Sequence, residues 1–145
     1  MNIKTAYMGE VEINEADVLS FEHGLPGFED EKKFALLKIE GNEVFQVLQS
    51  IQTEALAFIV TNPYSLKENY SFDLEEATVN TLEIKEEQEV AVLAIVSLKD
   101  SIANSTVNLK APIVINTTNK KAKQVILNNE DYPIRYVIAQ ESVKG

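Results

Sequence analysis

Short apolar runs separated by frequent turn residues constrain the fold of this 145-residue chain more than any other feature. FALLKI at 34–39 and VFQVLQS at 44–50 flank Gly41-Asn42, a pair that predicts a tight primed turn with positive φ angles. VAVLAIVSL at 90–98 is almost continuously apolar, which predicts a central strand buried on both faces. Turn signals this frequent predict a mostly β fold, either a closed or nearly closed antiparallel barrel or a sandwich.

The remaining strands are predicted from shorter alternating or β-branched runs. IKTAY and EVEI flank Met8-Gly9, which predicts a short hairpin or a bulged bend at the start of the chain. Pro112 cannot donate to a ladder, so it marks an edge, a bulge or a strand end before the run at 113–116. The other predicted strands cover residues 57–62, 106–109, 124–127 and 134–138.

One or two short helices interrupt the strands. A helix is predicted at about residues 74–82, where Asp73 and Glu76 have the spacing of a capping box. A second helical turn is predicted near residues 118–123. No internal repeat or low-complexity linker divides the sequence, so we expect a single domain over residues 1–145, an antiparallel β-barrel-like fold.

The composition removes several classes of chemistry. The chain has no cysteine and a single histidine, His23, so thiolate sites and paired-histidine metal sites are excluded, and we predict no cofactor. No phosphate-loop, dinucleotide or GxSxG motif is present, and no enzyme is predicted. The N-terminus lacks a long apolar segment, so we expect a soluble, unprocessed protein, and the absence of cysteine suits the cytoplasm.

Charge is unevenly distributed along the chain. The net charge is −10; residues 1–89 carry 19 acids and 6 bases, whereas residues 90–145 carry 4 acids and 7 bases. An acidic surface repels phosphate backbones and attracts basic proteins, so we expect no direct nucleic-acid binding and a basic protein partner. The alternative is that acidity only maintains solubility, as a solvated acidic run at 83–89 would.

The segment FEHGLPGFED at 21–30 predicts a turn better than it predicts a reactive site. Pro26 followed by Gly27 suits the two central positions of a type II turn, which needs a positive φ at the second. No partner for catalysis by His23 is recognisable in the sequence. Leu25 and Phe28 are then either apolar anchors in the core or a small contact patch.

Four segments resemble one family in order and at family length. They are FEHGLPGFED at 21–30, FQVLQSIQTEALAFIVTNP at 45–63, STVNLKAPIVIN at 105–116 and KAKQVIL at 121–127. Over nearly its whole length the chain resembles the bacterial flagellar assembly factor FliW family. The resemblance implies a non-enzymatic β-barrel-like protein of the cytoplasm that binds flagellin before export. When flagellin is scarce, such proteins bind CsrA, the RNA-binding dimer that represses flagellin translation, and relieve that repression.

Two sets of residues are candidate partner sites. Acids near the predicted helix and loop are expected to contribute to the field that attracts CsrA: Asp73, Glu75, Glu76, Glu83, Glu86, Glu87 and Glu89. Apolar side chains in predicted loops are candidates for flagellin binding: Leu25, Phe28, Tyr64 and Tyr70. The rival function is a β-barrel that binds a small ligand in its mouth, oriented by His23 or Arg135. An enzyme using carboxylates ranks third, and its sign would be a buried acid pair with a raised pKa.

Overall fold

The structure is a computed structural model that describes residues 1–67, 69–128 and 131–138. Strands are the main regular structure of the described residues, as predicted. The strands are β1 (Asn2–Lys4), β2 (Glu10–Glu12), β3 (Leu19–Phe21), β4 (Lys33–Ile39), β5 (Asn42–Ser50), β6 (Ala57–Thr61), β7 (Val90–Ser97), β8 (Thr106–Val107), β9 (Ile113–Asn116), β10 (Lys121–Gln124) and β11 (Tyr136–Val137). The helix α1 spans Glu76–Thr81, and single 3₁₀ turns lie at Glu15–Asp17, Pro63–Ser65 and Glu87–Glu89.

Seven of these strands close into a barrel. The hydrogen-bonded order is β7-β6-β5-β4-β3-β10-β9, and β9 pairs back onto β7 over Val90–Leu93. Every pair in the ring is antiparallel except β3 with β10, which is parallel. A ring with an odd number of strands cannot alternate in direction all the way round, so one parallel pair is required. The β-barrel-like prediction is confirmed, with this one departure from a purely antiparallel sheet.

Strand β7 separates two apolar clusters. We call the first the barrel core; its buried members are Leu19, Phe21, Leu25, Phe34, Leu48, Val60, Leu93, Ile113, Ile115 and Ala122. We call the second the outer aromatic cluster; its buried members are Phe45, Tyr70, Ala94, Val96, Val107, Leu109, Leu127, Tyr132, Tyr136 and Ile138. Successive side chains of β7 alternate between the two clusters, because neighbouring residues of a strand point to opposite faces. The prediction of a strand covered on both faces is confirmed.

The predicted hairpins form, with one difference in turn chemistry. Strands β1 and β2 pair around Gly9, whose φ is +69°, as a separate two-stranded sheet. Between β4 and β5, Gly41 has a φ of +80°, but Asn42 does not have a positive φ. The Asn42 side chain instead accepts hydrogen bonds from the Val44 and Phe45 amides at 2.8 and 3.0 Å. The prediction of a primed turn with two positive φ angles is therefore wrong, because only Gly41 has one, and the register between β4 and β5 shifts between Lys38 and Ile39.

The helix prediction is right in place and wrong in its cap. α1 begins after Glu75, and neither Asp73 nor Glu75 caps its first amides through a side chain. The helix is six residues long rather than nine, because it ends where Glu83 takes a φ of 55° and the Ile84 amide donates to the Val79 carbonyl.

The second helical turn predicted at 118–123 is wrong. Those residues form the β9–β10 turn and the start of β10. The Lys120 amide donates to the Asn116 carbonyl at 2.8 Å, and Lys120 has a φ of 65°. Asn116 also accepts from the Thr118 amide through its side chain, so asparagine turn chemistry prevails over helix formation here. Strand β10 consequently starts three residues earlier than the strand predicted at 124–127, while β8 and β11 are shorter than predicted.

Candidate protein-interaction site

The segment 21–30 folds into the predicted turn. The Phe28 amide donates to the Leu25 carbonyl at 2.7 Å, and Gly27 has a φ of +86°, as a type II turn requires at its third residue. The Gly27 amide donates to the Glu29 carboxylate at 3.0 Å, and this contact lowers the Glu29 pKa. His23 is exposed on the turn.

The two apolar residues of this turn have different roles. Leu25 is 2% exposed and belongs to the barrel core, so its side chain does not offer a surface to a partner. Phe28 is 41% exposed and packs edge-on against Phe58, with ring centroids 5.6 Å apart. The anchor interpretation therefore holds for Leu25, whereas Phe28 has a free face next to the barrel.

An open groove of about 650 Å³ lies between residues 71–75 and residues 123–128. Residues 71–75 lead into α1 without regular secondary structure, and residues 123–128 are the end of β10 and its continuation. We call this the strand-edge groove. Its apolar lining consists of Phe72, Leu74, Val125, Ile126 and Leu127. Its volume is within the range of about 300–1,000 Å³ that is usual for binding clefts.

Three of the predicted acids lie at this groove. Asp73 and Glu75 line it, and Glu76 follows as the first residue of α1. All three are exposed. On the other wall Lys123 is half-buried, so the acidic charge is concentrated on the helix side of the groove.

The other predicted acids lie in the loop between α1 and β7. Glu83 forms an ion pair with Lys121 of β10, which lowers the pKa of Glu83 and raises that of Lys121. Glu89 accepts from the Lys85 and Glu86 amides, both at 2.8 Å, and these bonds lower its pKa. Glu86 and Glu87 are exposed. Glu83 and Glu89 therefore hold the loop in place, while Glu86 and Glu87 present charge to solvent.

The two predicted tyrosines lie in one aromatic group but differ in exposure. Tyr64 is 44% exposed, while Tyr70 is 2% exposed and packs at a tilt against Tyr132, with ring centroids 4.6 Å apart. The Tyr70 hydroxyl donates to the Leu109 carbonyl at 2.7 Å. Burial raises the pKa of Tyr70, and the neighbouring Tyr64 and Tyr132 raise it further. Tyr70 is thus a core residue in a loop, and its ring is not available to a partner in this structure.

A smaller cavity of about 300 Å³ adjoins the strand-edge groove, with which it shares Gln124 and Ile126. Leu25, Pro26 and Phe58 line its other side. Neither His23 nor Arg135 lines this cavity, and both are exposed. Side chains that are almost completely buried fill the barrel itself, which disfavours a ligand inside it.

Sequence reasoning missed Ile126, which is 64% exposed and lies at the junction of the groove and the smaller cavity. The alternation of QVIL identified a strand but not the face that its residues occupy. The orientation of Ile126 is set by pairing between distant segments, which no local pattern encodes.

Comparisons with known proteins identify the family. The family model described as "FliW protein" matches residues 2–138. The chain belongs to the FliW family. The flagellar assembly factor FliW of Bacillus licheniformis is 46% identical over 142 residues, covering 98% of this chain and 99% of the relative. That of Oceanobacillus iheyensis is 42% identical over 144 residues, covering 99% of this chain and 98% of the relative.

A crystal structure of the flagellar assembly factor FliW has the same fold. It superposes with a TM-score of 0.90 at 42% identity, covering 95% of this chain and 96% of that one. The FliW match includes the turn at 21–30 and both walls of the strand-edge groove. Among the helices of the described residues, none is long and apolar enough to cross a membrane.

Proposed function

We propose that this FliW family member acts in flagellar assembly as a non-enzymatic, cytoplasmic binding protein with two alternative partners. It holds flagellin before export, and when it is released it binds and antagonises CsrA, which relieves repression of flagellin mRNA translation. The observation that carries the proposal is the strand-edge groove, where an apolar floor lies beside exposed acids in a chain of net charge −10.

The charge of the protein supports CsrA as a partner. A protein that binds RNA must present basic residues to phosphates, and an acidic protein docked beside them both attracts that surface and repels RNA. Asp73, Glu75, Glu76, Glu86 and Glu87 are exposed and supply such a field. Glu83 contributes less, because Lys121 already neutralises it.

The apolar surface supports flagellin as a partner. Amphipathic segments bind by placing an apolar face into a groove, which requires exposed apolar residues at the rim. Ile126 lines the groove and is 64% exposed, whereas Phe28 and Tyr64, at 41% and 44%, are exposed outside the groove lining. These side chains are costly to leave in water, and a partner that covers them gains the free energy of their burial.

Mixing the purified protein with CsrA and with flagellin, first separately and then together, tests the proposal. Gel filtration with light scattering is expected to show a complex with each partner and displacement of CsrA when flagellin is added. Failure to form either complex would overturn the function. If both complexes form and a ternary complex accumulates, the partners are right and the competitive switch is wrong.

A further inference from the structure

The strand that ends in the groove continues to pair beyond β10. The Val125 amide donates to the Pro112 carbonyl at 2.9 Å, and the Leu127 amide donates to the Lys110 carbonyl at 2.8 Å. These bonds continue the register in which Gln124 pairs with Ile113. Residues 125–127 therefore extend the antiparallel ladder with the segment at 110–112.

The other edge of this continuation has no partner strand among the described residues. In an antiparallel ladder, residues that bond to the partner strand alternate with residues whose N–H and C=O point away from it. Because Val125 and Leu127 bond inward, the main chain of Ile126 points outward. Strand β3 occupies that side only alongside Lys121 and Ala122. Within residues 1–67, 69–128 and 131–138, no main-chain group bonds to the N–H or C=O of Ile126.

We propose that this open edge binds an extended segment of a protein partner as an added strand. The inference deepens the proposed function, on which it rests, by naming the surface and the conformation of the bound segment. The edge borders the strand-edge groove. A segment bound at the edge would therefore also contact the opposite wall of the groove at residues 71–75. Unpaired edge groups are a ready template for another chain, and such pairing is an established mode of peptide recognition.

The groove also defines the chemistry of the partner. Phe72 and Leu74 on one wall and Ile126 on the other offer apolar contacts. The two carboxylates of Asp73 and Glu75 outnumber the single cation of the groove, Lys123, which is half-buried on the opposite wall. Side chains of an added strand alternate between two faces. The occupant is therefore an extended segment in which apolar residues alternate with lysine or arginine. Such a segment pairs its cations with Asp73 and Glu75 and buries its apolar residues.

CsrA is the basic partner of the proposed function, so the added strand is expected to come from CsrA. Amide hydrogen exchange of the ¹⁵N-labelled full chain, measured by NMR with and without unlabelled CsrA, tests this expectation. Binding is expected to slow exchange at Ile126 by at least about tenfold, since an amide that gains a partner is protected. The Val125 and Leu127 amides are bonded already and serve as internal references. A complex that leaves Ile126 exchange unchanged overturns this inference but not the proposed function. The absence of any complex overturns both.

Substitutions at the edge separate main-chain from side-chain effects. Ile126→Pro removes the N–H donor, and no bond among the described residues depends on that donor. Ile126→Ala keeps the donor and removes the exposed side chain. Partner affinity is expected to fall more in the proline variant than in the alanine variant, by at least about fivefold, with thermal stability of both checked first. Equal affinities in two folded variants contradict strand addition, and a proline variant that does not fold leaves the exchange measurement as the deciding test.

The charge requirement has a matched control. Asp73→Lys with Glu75→Lys reverses the charge at both acidic positions of the groove. Glu43→Lys with Glu54→Lys makes the same change in charge at exposed residues outside the groove. Only the groove variant is expected to weaken binding by at least about tenfold. Equal losses in the two variants would contradict recognition of a basic segment in the groove.

Discussion

Gly24 is the residue of the 21–30 turn on which the backbone depends most. Its φ is +66°, and a Cβ there would lie 2.6 Å from the main-chain oxygens of Phe28 and Glu29. Gly24→Ala is expected to lower the free energy of unfolding by more than the roughly 1–2 kcal/mol of a left-handed alanine, because backbone atoms must also move. Urea unfolding of the purified variant measures the loss.

Gly27→Ala is the matched control for Gly24→Ala. Gly27 also has a positive φ, +86°, but a Cβ there would meet no atom within 4 Å. The free energy of unfolding of this variant is expected to fall only by the cost of placing alanine in a left-handed conformation, about 1–2 kcal/mol. Equal losses at the two glycines would show that the contact with Phe28 and Glu29 does not contribute.

Tyr70 contributes stability through its hydroxyl as well as its ring. Tyr70→Phe keeps the ring but leaves the buried Leu109 carbonyl without its 2.7 Å donor. The free energy of unfolding is expected to fall by about 1–3 kcal/mol, the usual cost of an unsatisfied buried polar group. Tyr64→Phe, at a residue that is 44% exposed, is expected to change it by less than about 0.5 kcal/mol. Chemical unfolding of both variants measures the two losses. Equal losses of unfolding free energy would contradict a stabilising role for the Tyr70 hydroxyl.

Tyr70 also makes stability depend on alkaline pH. Burial raises its pKa in the folded state, so above the ordinary value of about 10 the unfolded chain loses this proton more readily than the folded one. The stabilising contribution of Tyr70 is fully present below pH about 10. It is lost as the pH rises toward the pKa of Tyr70 in the folded protein. Unfolding midpoints between about pH 8 and pH 11 are expected to fall more steeply for the wild type than for Tyr70→Phe. Parallel curves would contradict this role.

Asn116 connects the β9–β10 hairpin to the end of α1. It is 1% exposed, its amide donates to the Leu82 carbonyl at 2.9 Å, and its oxygen accepts from the Thr118 amide at 2.9 Å. Asn116→Ala removes both bonds at a buried residue, but Asn119 still donates to the Leu82 carbonyl at 3.1 Å, so we expect a loss of about 1–2 kcal/mol. Asn119→Ala removes a similar pair of bonds at an exposed residue and is expected to cost less than about 1 kcal/mol. Thermal unfolding compares the stability of the two variants. Similar losses would contradict the role of Asn116 in connecting the hairpin to α1.

The elements that the sequence predicted well are those whose signals are local. The alternation around Gly41, the continuous run that became β7 and the Pro26-Gly27 turn all specify conformation within a few residues. The turn at 118–120 was misread because helix and asparagine-turn signals overlap there. Barrel closure depends on parallel pairing of Ser20 with Lys121, about a hundred residues apart, which no local pattern encodes.

For the whole molecule, folding changes the meaning of the charge pattern. The linear sequence separates an acidic part from a basic end, yet the structure brings Lys121 of the basic end onto Glu83 of the acidic loop. The sequence therefore overstated the contribution of Glu83 to a partner-facing field. The acidic loop retains Glu86 and Glu87, and the helix side of the groove retains Asp73, Glu75 and Glu76.

Binding of CsrA should depend on salt because the exposed acids act over a distance that ions screen. Raising the ionic strength from about 0.05 to about 0.5 M shortens the screening length several-fold, and CsrA affinity is expected to fall by at least about tenfold. Flagellin affinity is expected to fall less, since apolar contacts dominate it.

Glu86→Lys with Glu87→Lys should slow CsrA association, whereas Glu43→Lys with Glu54→Lys should slow it less. Surface plasmon resonance measures the association and dissociation rates of CsrA. An association rate that changes neither with salt nor with any of the four substitutions would show that charge does not guide the encounter.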